Sequence, residues 1–204
     1  MPNWCTTDYV IEGPHEILER IHEAILYPEV EEGASAEWEG NVLNTLGISW
    51  DRLDPNDGNK PYDYMRGFIR GITKFNRNTL KFYAEEAWGV TDFNLVLEKN
   101  FPDIKVYFNG EEPGMEVYLT NDKEGKYFPD RYFVDTCINE VYNSEYFKTK
   151  EKAYKWLSKI SDNKVTNEEQ VEDFNKNPLN EDDFIYVHEF AIVDNNKVRI
   201  KTEV

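Results

Sequence analysis

The sequence has few cysteines and none of the short motifs that mark metal, nucleotide or nucleophile sites. Its two cysteines, Cys5 and Cys137, are too few for a disulfide framework in a chain of 204 residues. A Cys-x-x-Cys pair, a spaced Cys/His set, a Gly-rich phosphate loop, a Gly-x-Ser-x-Gly elbow and a His-Glu-x-x-His helix are all absent. We therefore expect two reduced, buried thiols, and the motifs assign no catalytic residue, metal ligand or cofactor.

Long apolar runs are also scarce, and basic residues are outnumbered by acidic ones. No run approaches the roughly 18 apolar residues of a membrane span, and the first residues lack the basic and apolar regions of a signal peptide. These features predict a cytoplasmic protein without membrane contact. The 40 acidic residues outnumber 23 basic ones and give a formal charge of −17. Because that charge repels phosphate backbones, direct nucleic-acid binding is not expected.

The hydrophobic pattern predicts an α+β protein. Alternation with a period of two residues indicates strands, and apolar spacing of three and four residues indicates helices. The predicted elements are strands at 3–12, 67–73, 79–86 and 103–109 and helices at 14–26 and 91–101. This is the β-α-β-β-α-β order of the ferredoxin-like fold, an antiparallel-dominated sheet with both helices on one face.

The same pattern gives the limits of the predicted ferredoxin-like domain. We expect it to span 1–138 and to carry an insertion at about 28–66. The insertion includes a run dense in turn-forming residues at 54–61 (DPNDGNKP). Two further strands, at 115–120 and 127–135, are expected to extend the antiparallel sheet.

Residues 139–204 are expected to form a C-terminal helix-strand appendage packed on that domain. An amphipathic helix is predicted at 149–160, and a short acidic helix at 167–175. The segment 183–193 (DFIYVHEFAIV) is apolar on both faces, which is typical of a strand paired inside a sheet or against a partner.

Several short segments resemble one known family. They are residues 1–5 (MPNWC), 11–13 (IEG), 87–88 (AW), 101–103 (FPD) and 111–114 (EEPG). Together they resemble the YubB ferredoxin-like family, which is carried by plasmids, phages and other mobile elements. Residues 41–47 (NVLNTLG) and 120–129 (TNDKEGKYFP) are similar to its Bacteroides-type members. The resemblance implies a ferredoxin-like fold and a mobile-element setting, and it implies no catalytic residues because the family has no established biochemical function.

One end of the predicted sheet brings together the first candidate site, which we call the predicted corner. It consists of Asn3, Trp4, Cys5, Glu111, Glu112 and Gly114. The simpler interpretation is a structural corner without a binding function, in which Trp4 packs under the turn and Gly114 permits the bend. The alternative is a pocket for a ligand or a protein partner.

Glu86 and Trp88 form the second candidate site, just after a strand. We expect the first and third strands to run parallel, which puts Glu86 and Glu112 at opposite edges, about 17 Å apart. One shared metal or catalytic site is then not expected. Cys5 is not expected to act as a nucleophile, because neighbouring carboxylates raise the pKa of a thiol.

The predicted core lies between the sheet and the helices. Its members are Ile11, Ile17, Ile21, Trp88, Phe93, Leu97, Phe101, Val106 and Phe108.

Three classes of function remain open after these exclusions. The preferred hypothesis is a non-enzymatic accessory module of a mobile element that binds an unidentified protein partner. A DNA mimic that inhibits a nucleic-acid-binding protein is the first alternative, because the acidic charge imitates phosphates. A carboxylate-based or metal-dependent hydrolase is the second. The sequence makes no prediction of the oligomeric state.

Overall fold

The computed structural model describes residues 3–50, 65–178 and 180–194. The described residues form an α+β structure with five α-helices and two β-sheets. They divide into two compact units: the first runs to Lys123 and resumes at Ile192, and the second is Glu124–Ala191. Each unit has its own hydrophobic core.

The described strands and helices are numbered separately in chain order. The strands are β1 (Trp4–Glu12), β2 (Gly67–Phe75), β3 (Thr79–Ala87), β4 (Lys105–Glu112), β5 (Val117–Thr120), β6 (Tyr132–Ile138), β7 (Val141–Phe147), β8 (Phe184–Glu189) and β9 (Ala191–Ile192). The helices are α1 (His15–Leu26), α2 (Glu39–Thr45), α3 (Phe93–Asn100), α4 (Lys150–Ile160) and α5 (Glu168–Lys176).

The first sheet has six strands in the order β2-β3-β1-β4-β5-β9. β1 is antiparallel to both β3 and β4, so that Tyr9 lies opposite Phe82 on one side and Phe108 on the other. The alternation of β1 turns these rings to one face, where they join a core cluster with residues of α1 and α3. Both helices therefore pack on the same face, and the four strands and two helices predicted for this region are confirmed.

One member of the predicted core is misplaced. Trp88 has a positive φ of 63° and is 45% exposed, and its ring lies 4.9 Å from the guanidinium carbon of Arg66. The left-handed backbone at the end of β3 interrupts the alternation and turns this side chain to solvent. Ile17 is only partly buried at the margin of the core, and the other predicted members are buried.

The second unit is a three-stranded sheet with the order β7-β6-β8, and β6 is antiparallel to both neighbours. Val134 and Ile138 of β6 pack with Ile185 of β8 and with residues of α4 and α5, which cover one face of this sheet. A two-residue turn joins β6 to β7. Both turn residues, Asn139 and Glu140, have a positive φ, as a type I′ turn requires.

The strand pairing of the second unit differs from the pairing predicted from the sequence. The strand predicted at 127–135 begins at Tyr132, and the prediction that it extends the first sheet is wrong, because β6 pairs with β7 and β8. The expected boundary after residue 138 falls in the turn between β6 and β7. Alternation identifies a strand but not its partner, and β7 was not predicted. The turn predicted at 54–61 lies outside the described residues.

Within the described ranges, the structure has no helix that is both long and apolar enough to span a membrane.

Candidate functional site

The structure divides the predicted corner between the two faces of the first sheet. Cys5 lies opposite Glu86, and Thr6 lies opposite Glu111. Because neighbouring residues of a strand face opposite ways, Cys5 points to the helix-covered side and Trp4 to the other. The Trp4 ring packs near Phe68, with 5.8 Å between ring centroids, and is 41% exposed.

The remaining part of the corner is a capped turn. The buried Glu112 carboxylate accepts hydrogen bonds from the backbone N–H groups of Gly114, at 3.1 Å, and Met115, at 2.5 Å. These bonds close the 3₁₀ turn Pro113–Met115. A Cβ atom at Gly114 would lie 2.9 Å from the capping Oε1, so glycine leaves room for the cap. Asn3 is exposed, and its carbonyl accepts a hydrogen bond from the Trp88 N–H at 2.8 Å.

The expected separation of Glu86 and Glu112 is wrong. β1 is antiparallel to β3 and to β4, so β3 and β4 run in the same direction and end at the same edge. Glu86 and Glu112 therefore flank Cys5, about two strand spacings or roughly 10 Å apart. The error came from treating the first and third strands as parallel. The two carboxylates still do not share a site, because Glu112 caps the turn and Glu86 has other partners.

Glu86 is the centre of a buried polar cluster. Its Oε1 accepts hydrogen bonds from the Tyr9 hydroxyl at 2.7 Å and from the Thr91 N–H at 3.1 Å. The Thr7 hydroxyl donates to Oε2. All of these side chains are buried, with Glu86 at 0% exposure. We call the group the carboxyl cluster; its members are Thr7, Tyr9, Glu39, Glu86 and Thr91.

Glu39, from α2, is the second carboxyl of this cluster. The Thr91 hydroxyl lies 2.7 Å from Glu86 Oε1 and 2.9 Å from Glu39 Oε2. One hydroxyl has one proton, so it donates to only one of the two carboxyls. Burial, and next the Glu86 charge, raise the pKa of Glu39 well above its ordinary value of 4.5. A protonated Glu39 can donate to the Thr91 hydroxyl, which leaves the proton of that hydroxyl for Glu86.

Sequence reasoning missed Glu39 because the periodicity is weak throughout the insertion. A signal was nevertheless present. Glu39 precedes Val42, Leu43 and Leu46 by three, four and seven residues, which places it on the apolar face of α2. Gly67, at the start of β2, leaves room for the Glu39 carboxyl, because a Cβ atom there would lie 2.3 Å from Glu39 Oε1.

The carboxyl cluster ties several elements together but is closed to solvent. It joins α2, β1, β3 and the residues just before α3, and both carboxyls have 0% exposure. Beside it, burial and the charges of Glu86 and Glu112 raise the pKa of the Cys5 thiol to about 12, so this thiol is protonated at neutral pH. Among the described side chains, no three His, Cys, Asp or Glu residues converge to hold a metal ion.

The second unit presents a different surface on the face of its sheet that α4 and α5 do not cover. We call it the open face. It consists of Phe133, Asp135 and Cys137 of β6, Tyr142, Ser144 and Tyr146 of β7, and Phe184, Tyr186 and His188 of β8. Three of its aromatic side chains are strongly exposed: Tyr142 at 72%, Tyr186 at 50% and Tyr146 at 44%.

Rings on the open face contact one another across and along the strands. The ring centroids are 4.8 Å apart for Phe133 and Tyr146, and 5.0 Å apart for Phe184 and Tyr186. Asp135, half-buried, lies at the middle of the face opposite Ser144 and Tyr186. Exposed rings near a carboxylate can stack with apolar or cationic groups of another molecule.

Sequence reasoning missed the open face because its residues come from three strands, one of which was not predicted. The alternation of Phe184, Tyr186 and His188 was visible in the apolar segment 183–193, but its partners Tyr142 and Tyr146 lie some forty residues earlier. Comparisons of the chain with family models, curated proteins and solved structures find no match. Geometry and charge therefore carry the functional argument.

Proposed function

We propose that this chain is a non-enzymatic protein-binding module that uses the open face to bind a basic protein. The observation that carries the proposal is the exposure of Tyr142, Tyr146 and Tyr186 on one sheet face around Asp135. Contiguous exposed aromatic groups are uncommon on soluble monomers and mark interaction surfaces. Tyrosine is also enriched in protein interfaces, because its ring supplies contact area and its hydroxyl a hydrogen bond.

The charge of the chain gives the chemistry of the partner. With a formal charge of −17, the protein attracts positively charged surfaces and accelerates their association. On the open face, Asp135 offers a carboxylate next to the ring of Tyr186. An arginine or lysine side chain can pair with that carboxylate and stack on the ring at the same time. A basic segment of the partner is therefore the expected occupant.

A mobile-element accessory role in the cytoplasm is the setting that we propose for this binding. The resemblance to the YubB family supports it. We also infer a ferredoxin-like topology for the first unit, supported by the β-α-β-β-α-β order of its predicted elements and by the strand order β2-β3-β1-β4. An experimental structure of the first unit tests this inference.

Site-specific photo-cross-linking in the native host tests the binding proposal. A photoreactive phenylalanine analogue replaces Tyr186 or Tyr142 on the open face. In the matched control it replaces Tyr27, which is 75% exposed and belongs to the first unit. We expect the two open-face positions to capture one and the same basic protein and Tyr27 to capture none. Asp135→Asn should reduce the yield of that adduct.

Two results would overturn the proposal. One is an adduct that forms equally from Tyr27 and from Tyr186. The other is the capture of an acidic protein other than this chain itself. A different outcome is the capture of a nucleic-acid-binding protein whose binding to this chain is prevented by added DNA. That outcome would support the DNA-mimic alternative.

A further inference from the structure

We propose that β7 pairs with β7 of a second copy of this chain, so that two three-stranded sheets join across a two-fold axis at Ser144. The starting observation is the position of β7 at the edge of its sheet within the described structure. Its pairing with β6 runs without a register shift from Tyr132 opposite Phe147 to Ile138 opposite Val141. The strand contains no lysine and no proline, the residues that commonly protect an edge.

The opposite edge of the same sheet is protected. Asn175 of α5 donates a side-chain hydrogen bond to the Ile185 carbonyl at 2.7 Å and accepts one from the Ile185 N–H at 2.8 Å. One side chain thus satisfies both outward backbone groups of Ile185 and blocks the approach of another strand at β8. This contrast between β8 and β7 points to β7 as the edge that is open for pairing.

The β6–β7 turn determines which backbone groups of β7 point outward. A two-residue turn closes with a hydrogen-bonded pair, here Ile138 and Val141. In an antiparallel ladder such pairs alternate, so the odd-numbered residues of β7 bond to β6. Tyr142, Ser144 and Tyr146 then direct their N–H and C=O groups away from the sheet. The Tyr146 N–H meets the exposed Glu145 carboxylate at 3.3 Å, a contact that strand pairing can replace.

The sequence of β7, VYNSEYF, is self-complementary when it is read in both directions. A two-fold axis at Ser144 places Tyr142 opposite Tyr146 of the second copy, and both rings lie on the open face. It also places Asn143 opposite Glu145, an amide against a carboxylate, and Val141 opposite Phe147. In this register the outward-directed residues meet one another, and each such pair exchanges two backbone hydrogen bonds.

Salt separates this self-association from the binding of a basic partner. Each copy carries a formal charge of −17, so the two copies repel one another, and salt screens that repulsion. Dimerisation should therefore strengthen as the salt concentration rises, whereas binding of a basic protein should weaken. Failure of one proposal is thus distinguishable from failure of the other.

Sedimentation analysis of the purified chain at low and high salt is the first test. We expect a species of twice 24.1 kDa that becomes more abundant with concentration and with salt. Ser144→Pro removes only an outward-facing N–H, so the fold should tolerate it at this edge while the dimer is lost. Ser144→Thr keeps the N–H and should leave the dimer intact. A chain that is monomeric at every salt and concentration, or an unchanged dimer in Ser144→Pro, would overturn the proposal.

Disulfide cross-linking is the second test and does not depend on the proline variant. Across the proposed axis the two Ser144 Cα atoms would be about 5.5 Å apart, within the range of a disulfide. The two Tyr146 residues would be four residues out of register, about 13 Å apart. Under mild oxidation Ser144→Cys should form a covalent dimer and Tyr146→Cys should not. Equal cross-linking of both variants, or of neither, contradicts this register.

Discussion

The carboxyl cluster of the first unit and the open face of the second differ in which side chains they enclose and which they expose. The carboxyl cluster encloses Glu39 and Glu86 beside the helices of the first unit, while the open face leaves Tyr142 and Tyr186 on an uncovered sheet face. Carboxylates are commonly found in catalytic or metal-binding sites, and tyrosine rings commonly pack within the folded protein. Here the carboxyls are enclosed and have a structural role, whereas the rings are accessible to another molecule.

Free energy explains why the open face is the better candidate for function. A buried carboxylate is costly unless it is hydrogen-bonded, and Glu86 accepts bonds from three neighbouring residues. The hydrogen bonds that Glu86 can accept are therefore already formed within the first unit. An exposed ring contributes only when another molecule covers it, at about 25 cal/mol per Å² of apolar surface. The exposed rings of the second unit can therefore stabilise a complex when a partner covers them.

Removal of the central carboxylate should have the largest effect. Glu86→Leu removes the carboxylate acceptor of the buried Thr7 and Tyr9 hydroxyls, and we expect a loss of about 3–5 kcal/mol of unfolding free energy. The matched control is Glu85→Leu, one residue earlier, where a surface ion pair with Arg70 is worth at most about 1 kcal/mol. Denaturant titration measures both. Equal losses would mean that the cluster has no special structural role.

The apolar core of the first unit should give the next largest effect. Leu97 is fully buried on α3, so Leu97→Ala should cost about 2–5 kcal/mol. Denaturant titration again provides the measurement. A loss below about 0.5 kcal/mol would show that α3 does not pack on the sheet through this residue.

The pH dependence of stability should reveal the protonated carboxyl. The pKa of Glu39 is raised in the folded state, so its stabilising contribution is complete below its ordinary value of 4.5 and is lost as the pH rises through the folded pKa. One proton gives a slope of at most about 1.4 kcal/mol per pH unit. Glu39→Gln carries no charge at any pH, so its stability relative to the wild type should increase with pH. Parallel pH profiles for the two proteins would contradict this account.

The smallest effect is expected on the open face of the free protein. Tyr142 is mostly exposed and contacts its neighbours only at the surface of the sheet. Tyr142→Ala should cost less than about 1 kcal/mol in thermal or denaturant unfolding. A loss as large as that of Leu97→Ala would indicate that the open face is a structural core rather than a binding surface.

Local sequence patterns predicted four strands and two helices of the first unit because these strands alternate and these helices have apolar faces. The pairing of strands was harder, since the relative direction of β1 and β3 depends on contacts between residues far apart in sequence. That single error misplaced Glu86 relative to Glu112. Trp88 was misassigned for a related reason, because one left-handed residue cancels the alternation that the pattern assumed.

The candidate sites were predictable only in part. Cys5, Glu86 and Glu112 do meet at one end of the sheet. Glu39, the carboxyl that shares the Thr91 hydroxyl with Glu86, comes from a short helix in an insertion with weak periodicity. The open face requires three strands in register, and it could not be assembled without β7. Burial decides the role of each of these groups, and burial is a property of the complete fold.

Affinity for the partner captured at the open face is the measurement that tests the central claim most directly. Calorimetric titration would compare the wild type with Tyr186→Ala and with the control Tyr27→Ala. The account predicts that Tyr186→Ala weakens binding about 30-fold, the loss of about 2 kcal/mol expected for an interface anchor, while Tyr27→Ala changes it less than about twofold. Equal affinities for all three proteins would contradict the claim that the open face is the binding surface.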